Sequence, residues 1–131
     1  MKRNYIKYLL YGILFVGTQE FWVSVLWDGN IRSFILAVVI LEVLFLTVTY
    51  ILGKLIDKIF SKIRIADIVA YVVSGIIGLV VIEWMFVGNT PDKLSTWHQF
   101  VMFGTWGGSA LFARMHTEML GYTAKVPNIT N

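Results

Sequence analysis

The sequence contains no cysteine, only two prolines and few charged residues. Asp, Glu, Lys and Arg make up 15% of its 131 residues, whereas a soluble domain usually has about 25%. Hydrophobic residues reach 57% and the mean hydropathy is +0.72. The absence of cysteine excludes disulfides, thiolate nucleophiles and cysteine-bound metal centres. The scarcity of charge excludes a soluble globule, because too few side chains are available to solvate so apolar a surface. The composition indicates an integral membrane protein.

Signatures of soluble enzymes and nucleic-acid binders are missing as well. The sequence has no phosphate-binding glycine loop, no nucleophile elbow and no His-Glu-x-x-His motif. Its net charge of +3 comes from residues that flank apolar segments, not from a basic patch. The sequence therefore indicates no enzyme class and no nucleic-acid partner.

Four apolar segments are long enough to cross a bilayer, which requires about 20 residues. They cover approximately residues 5–27, 31–52, 66–87 and 97–121. Asp28-Gly29-Asn30 is a turn signal between the first two, and Pro91 interrupts the chain before the fourth. The sequence predicts a single all-α integral membrane domain, a bundle of four transmembrane helices in contact with the lipid bilayer.

Basic residues are distributed unevenly between the two ends of these segments. Nine lie on the side of the termini: Lys2, Arg3, Lys7, Lys54, Lys58, Lys62, Arg64, Arg114 and Lys125. Only Arg32 and Lys93 lie on the other side. Because cytoplasmic loops carry an excess of Lys and Arg, both termini are predicted to be cytoplasmic. The predicted location is the inner (cytoplasmic) cell membrane.

The segment between the second and third spans, residues 53–65, alternates apolar and basic residues at helical spacing. It predicts a short basic amphipathic helix lying among the lipid headgroups. The alternative is a simple extension of the second span. The candidate headgroup ligands are Lys54, Lys58, Lys62, Arg64 and, at the end of the fourth span, Arg114. The last of these could instead pair with Glu118, four residues on, or bind a substrate phosphate or carboxylate.

Glu42 lies near the middle of the second span, with no polar residue beside it. An ionisable group at that depth costs about 2.5–3.5 kcal/mol, so it is expected to face protein, water or a partner. Thr49 lies about two turns further along the same face. Glu42 is interpreted either as a proton or cation relay or as a neutral acid that hydrogen-bonds to another helix.

Glu20, Glu83 and His98 share one predicted depth, near the outer ends of the first, third and fourth spans. If the three helices turn these side chains inward, they would form a site for a divalent metal, protons or a cationic ligand. Asp28 and Asp92 would form an acidic mouth above it. In the alternative interpretation, Glu83 and His98 reach interfacial water independently.

His98 and His116 are separated by five helical turns, about 27 Å, on one face of the fourth span. Thr105 and Ser109 fall near the same stripe, so the pattern favours a polar path between the two membrane surfaces. Two haems at opposite leaflets would need further axial ligands, and the chain has only two histidines. Haem is therefore not favoured, and the sequence requires no cofactor. The alternative is a pair of interfacial histidines.

Small residues recur at four-residue spacing on the third and fourth spans. Gly104 and Gly108 form a G-x-x-x-G motif, and Ala70, Ser74 and Gly78 follow the same spacing. Small residues let helix backbones approach closely in lipid. The pattern predicts tight packing, within the bundle, in a homo-oligomer or against partner subunits.

Several of these residues also occur in a family pattern. Tyr11-Gly12, Gly17 and Glu20 in the first span, followed by Glu83, Gly88, Trp97, Phe100 and Gly104, stand in a similar order in one family of small bacterial membrane proteins. The chain resembles these proteins, which are described as type IV ABC-transporter permeases. The resemblance points again to Glu20 and Glu83.

The function that this sequence favours is transport. Glu20, Glu83 and His98 would form an outer site for a cation, a proton or a small cationic solute. Glu42 would relay it at the midplane, and Thr105, Ser109 and His116 would line the inner path. Two alternatives stay open: a non-catalytic accessory subunit of a larger membrane complex, and a membrane metalloprotein that uses the outer site.

Overall fold

The computed structural model describes residues 2–27 and 29–117, which fold into four long helices with no β-strand among them. The helices are α1 (residues 2–27), α2 (Ile31–Ile59), α3 (residues 63–87) and α4 (Thr96–His116). The first three contain stretches long and apolar enough to cross a membrane: Arg3–Leu26, Ile31–Ile59 and Arg64–Val87. The all-helical, membrane-compatible architecture expected from the composition is confirmed.

The helix α4 is long enough to cross a bilayer at about 1.5 Å per residue, but it is more polar than the others. It packs mainly against α1 and α3, and its buried residues are Gln99, Trp106, Gly107, Ser109, Ala110, Ala113 and Arg114. Several polar and small residues of this helix therefore face its neighbours, whereas His98 and His116 near its two ends are exposed. Burial between helices explains why α4 can contain so many polar residues.

Three stretches of the first three helices have wide, π-helical turns, in which backbone hydrogen bonds run from residue i to i+5. They are Phe21–Trp27 in α1, Leu36–Glu42 in α2 and Gly78–Val87 in α3. All three lie toward one end of the molecule, which we call the hairpin end and which contains residues 29–30 and 88–95. Such turns are rare and concentrate at functional sites. Glu20, Glu42 and Glu83 lie next to or within them.

The opposite end of the molecule, here the arginine end, comprises residues 53–67 together with Arg114. The prediction of a separate amphipathic helix here is wrong. The helix α2 continues unbroken to Ile59, and Phe60 and Lys62 take extended backbone conformations before α3 begins. Continuity of α2 buries Ile56 against Ala66 and Ala70 of α3.

The basic residues of this end lie at the C-terminal end of α2 and at the N-terminal end of α3. Lys54 lies over the ring of Tyr50, with Nζ 4.5 Å from the ring centroid, and Lys58, Lys62 and Arg64 are exposed. Their binding to lipid headgroups stays a prediction.

The small residues of α3 and α4 are used for packing within the chain. A Cβ atom at Gly107 would lie 2.8 Å from the backbone oxygen of Tyr71, and one at Gly78 would overlap Trp106. At the predicted motif positions the space is larger, with the nearest atoms 3.7 Å from Gly104 and 3.3 Å from Gly108. On α4 the closest approach is therefore at Gly107, one residue before Gly108 of the G-x-x-x-G motif, whereas on α3 it is at the predicted position Gly78.

We expect Gly107→Ala to destabilise the fold by about 1–3 kcal/mol, because the rigid carbonyl of Tyr71 cannot move aside. Gly17→Ala is the matched control, since its Cβ would lie 3.9 Å from the nearest atom, on Ile13. That control should be neutral or stabilising by up to about 1 kcal/mol from helix propensity. Thermal unfolding in detergent micelles measures both, and equal stability of the two variants would contradict the close α3–α4 approach.

Candidate functional site

A cleft of about 980 Å³ lies at the hairpin end, among all four helices. Its walls are largely apolar, and its polar lining consists of Thr18, Gln19, Glu20, Ser24, Ser33, Glu83, Asn89 and Thr105. Within the described ranges, no Lys, Arg or His lines it. The cleft therefore presents two carboxyl groups without a basic counter-residue.

Both carboxyl oxygens of Glu83 accept hydrogen bonds from nitrogen donors. Trp106 Nε1 donates to Oε1 at 2.8 Å, and Asn89 Nδ2 donates to Oε2 at 2.8 Å. Two donors and no acceptor suit the ionised carboxylate, which can only accept. The Asn89 carbonyl in turn accepts from Gln99 Nε2 at 3.2 Å, and Gln99 Oε1 accepts from Trp84 Nε1 at 2.6 Å. Glu83 is thus held as an oriented anion.

The turn that follows Glu83 explains how Asn89 reaches it. Gly88 has a φ of 84°, in the left-handed region that glycine favours. The chain therefore reverses, and the backbone N–H of Asn89 donates to the Glu83 carbonyl oxygen at 2.8 Å. One glycine places both the backbone and the side chain of Asn89 against the same residue.

Glu20 is held more loosely than Glu83. Its Oε2 accepts from Ser24 Oγ at 3.1 Å, one turn along α1. The end of this helix repeats the arrangement seen after Glu83: Gly29 has a φ of 65°, and the Asn30 N–H donates to the Ser24 carbonyl at 2.7 Å. Glu20 is half-buried, and residues 2–27 and 29–117 give its other oxygen no hydrogen bond, so it can meet a guest in the cleft.

His98 does not join the two glutamates. It is exposed, and its Nδ1 pairs with Ser95 Oγ at 2.7 Å at the start of α4. The same serine accepts from the His98 backbone N–H, which caps the helix. In the part of the chain that the structure describes, no three His, Asp or Glu side chains are arranged to hold a metal ion. The expected trio of Glu20, Glu83 and His98 is not formed, because His98 serves the helix cap.

The acidic mouth is described only in part. Asp28 lies outside the described residues, whereas Asp92 is exposed three residues beyond Asn89. A hydrogen bond from the Thr90 side chain holds the pKa of Asp92 below its ordinary value, so this carboxyl is ionised at neutral pH. It adds negative charge near the entrance of the cleft.

Glu42 is fully buried, with 0% exposure, and neither carboxyl oxygen has a hydrogen-bond partner in the part of the chain that the structure describes. Ser109 of α4 lies near it, but its hydroxyl donates to the Trp106 carbonyl at 3.0 Å. Thr49, expected on the same face, is also buried, and its hydroxyl pairs with Tyr8 at 3.1 Å. Thr49 therefore joins α2 to α1 and does not satisfy Glu42.

The residues of the predicted polar stripe on α4 lie in different environments. Thr105 lines the cleft and Ser109 is buried beneath it. His116 is exposed and does not line the cleft. Its ring packs against those of Tyr11 and Phe112, at centroid distances of 5.0 and 4.2 Å. Its Nδ1 lies 2.8 Å from the Phe112 carbonyl oxygen. Neither histidine lines the cleft: both are exposed and have local hydrogen-bond partners, an arrangement that agrees with the alternative of two interfacial histidines.

Arg114 occupies a buried cluster at the arginine end that the sequence analysis missed. It is 3% exposed, its Nε donates to Asp67 Oδ1 at 2.7 Å, and its Nη2 pairs with Asp57 Oδ1. A third donor, Nη1, lies 3.4 Å from the Gly53 carbonyl. Arg114 thus joins α4 to α2 and α3 and is not exposed to headgroups. The alternative partner Glu118 lies outside the described residues. One signal in the sequence could have predicted this cluster: Asp57, Asp67 and Arg114 lie at a similar predicted depth, on the side of the termini.

We expect Arg114→Gln to destabilise the protein by about 3 kcal/mol, because it leaves Asp57 and Asp67 without their cation. Arg64→Gln, at an exposed position of α3, is the control and should change stability by less than about 0.5 kcal/mol. Chemical denaturation in micelles gives both values. The triple variant that also carries Asp57→Asn and Asp67→Asn should recover most of the loss, and failure to recover would contradict a charge-based cause.

Comparisons of the chain with protein-family profiles, with characterised proteins and with solved structures find no match. The resemblance to type IV ABC-transporter permeases stays a prediction. The function must therefore be argued from the chemistry of the cleft and of the residues around it.

Proposed function

We propose that this protein is a membrane-spanning four-helix bundle, with both termini cytoplasmic, that binds a small organic cation in the hairpin-end cleft and takes part in its passage across the membrane. One observation carries the proposal: Glu20 and Glu83 line the same apolar-walled cleft, and no basic side chain of the described residues lines it with them. Negative charge in such surroundings is stabilised by a positively charged guest.

The shape and lining of the cleft favour an organic cation over a bare metal ion. Its volume falls at the upper end of the 300–1,000 Å³ that is typical of small-molecule sites. Trp22 and Trp106 contribute aromatic surface, which attracts alkylammonium groups through the ring face. Both oxygens of Glu83 already accept N–H donors, so this residue acts as an oriented charge and not as one member of a metal coordination sphere.

The two glutamates would act differently on the guest. Glu83 supplies fixed negative charge, since Trp106 and Asn89 hold its carboxylate in place. Glu20 supplies an adaptable contact, because only Ser24 restrains it. A fixed anion and a movable one allow cations of different size to be accommodated.

Benzyltrimethylammonium is a suitable binding probe, because it combines a fixed positive charge with an aromatic ring. We expect Glu83→Gln to weaken its binding by about tenfold or more, equivalent to about 1.4 kcal/mol, since the oriented charge is lost. Calorimetric titration in micelles measures the affinity, with quenching of tryptophan fluorescence as a second readout.

Asp92→Asn is the matched control, because it removes a carboxylate at the same end that does not line the cleft. Its affinity should stay within about twofold of the wild-type value, as expected for a screened surface charge. Benzyl alcohol is the neutral comparison ligand. Equal binding of both ligands, or equal affinity of the two variants, would count against charge recognition in the cleft.

Passage across the membrane is tested in proteoliposomes loaded with a cation gradient. Wild-type protein should release the cation faster than empty vesicles, and Glu83→Gln or Glu42→Gln should lower the rate to that of empty vesicles. The reason is that the first variant removes the binding charge and the second removes the buried acid below it. A wild-type rate equal to that of empty vesicles, across several cations and pH values, would overturn transport.

A further inference from the structure

Glu42 is the residue whose chemistry the cleft alone does not explain. Among the described residues it is the one carboxyl group with both oxygens buried and without a hydrogen-bond partner. A carboxylate in such a place, with neither a cation nor a donor, would carry a severe desolvation penalty. The group is therefore present as the neutral acid, which leaves one proton held inside the protein.

The position of Glu42 connects this proton to the cleft. Glu42 is the last residue of the wide-turn stretch Leu36–Glu42, and Leu36 and Leu41 of that stretch line the cleft wall. On the facing helix, Thr105 lines the cleft and Ser109, one turn further, lies beside Glu42. Glu42 thus follows a residue of the cleft wall directly and is itself buried next to the cleft.

The titratable groups that act on Glu42 electrostatically are Tyr8 and Glu20 of α1. Glu83 of α3 lines the cleft together with Glu20, and Arg114 of α4 lies close enough to act on Tyr8. Arg114 is already paired with Asp57 and Asp67, so it does not neutralise Glu42. The cleft is the place from which a positive charge can come.

We propose that Glu42 is a proton-binding site coupled to the cleft, and that a cation bound between Glu20 and Glu83 releases its proton. This proposal rests on the proposed cation binding and identifies the proton as the ion that is coupled to it. When the cation enters, its positive charge compensates a Glu42 carboxylate, and the O–H proton leaves to water in the cleft. The positive charge of the cation thus replaces that of the Glu42 proton, so that the protein exchanges cations for protons. By linkage, protonation of Glu42 weakens cation binding by the same factor.

The test labels Glu42 in the wild-type protein. Dicyclohexylcarbodiimide adds to neutral carboxylic acids in apolar surroundings, and peptide mass spectrometry quantifies the adduct at each carboxyl group. Purified protein in micelles is labelled at acidic, neutral and alkaline pH, with and without benzyltrimethylammonium. We expect labelling of Glu42 at neutral pH and a decrease of about fivefold or more when the cation is bound.

Two variants separate this proposal from the proposed function. Glu83→Gln should still be labelled at Glu42 but should lose the protection by the cation. Glu42→Gln should still bind the cation but should no longer release protons when the cation is added, as measured with a pH-sensitive dye in weak buffer.

Each remaining outcome is decisive. Cation binding without any change in the labelling of Glu42 would overturn the coupled proton site and leave the cation site intact. Absence of Glu42 labelling at every pH would likewise overturn it. A wild-type protein that binds no cation would overturn both proposals.

Discussion

A carboxyl group among apolar helices needs a donor, a cation or a proton, because an isolated charge in such surroundings is too costly to keep. This protein uses all three. Asp57 and Asp67 share the cation of Arg114, and Glu83 receives two N–H donors. Glu42 has neither among the described residues, and we infer that it holds a proton. The three kinds of acid are therefore satisfied in different ways: by a fixed ion pair, by oriented N–H donors and, as we propose, by protonation.

The hairpin end gathers the features that make the cleft. Wide turns in α1, α2 and α3 contain or adjoin Glu20, Glu42 and Glu83, of which Glu20 and Glu83 line the cleft, and two left-handed glycines follow the wide turns of α1 and α3. The hydrogen bonds from Asn89 and Trp106 then fix Glu83. Local backbone irregularity is thus concentrated where the acids are, whereas α2 at the arginine end runs regularly to Ile59.

The sequence predicted the helical class and the approximate positions of the helices, because long apolar runs and turn signals depend only on local composition. It left open whether the second span continues beyond residue 52 or a separate helix follows, since burial of Ile56 against Ala66 and Ala70 is a contact between helices. The wide turns were also missed, because they shift side chains away from the spacing of a regular α-helix. A sequence indicates how deep a residue lies along a membrane span, but it indicates much less well how the helix is rotated about its axis and which neighbour the residue faces.

The same distinction explains the candidate site. The depth argument selected Glu20 and Glu83, and the structure places both at the cleft. It also selected His98, whose ring turns instead toward Ser95. The Arg114 cluster escaped notice because its acids lie among basic residues in the sequence, where they resemble ordinary members of a charged loop. Only the packing of three helices shows that they belong together.

The ion cluster around Arg114 has a mechanical consequence. It fastens α2, α3 and α4 to one another at one end, whereas no ion pair within the described ranges does so at the other. At the hairpin end, hydrogen bonds from Trp106 to Glu83 and from Trp84 to Gln99 join α3 to α4. The ties between α3 and α4 therefore extend along the whole helix pair, whereas the buried ion pairs that hold α2 to both of them lie at the arginine end, away from the two glutamates.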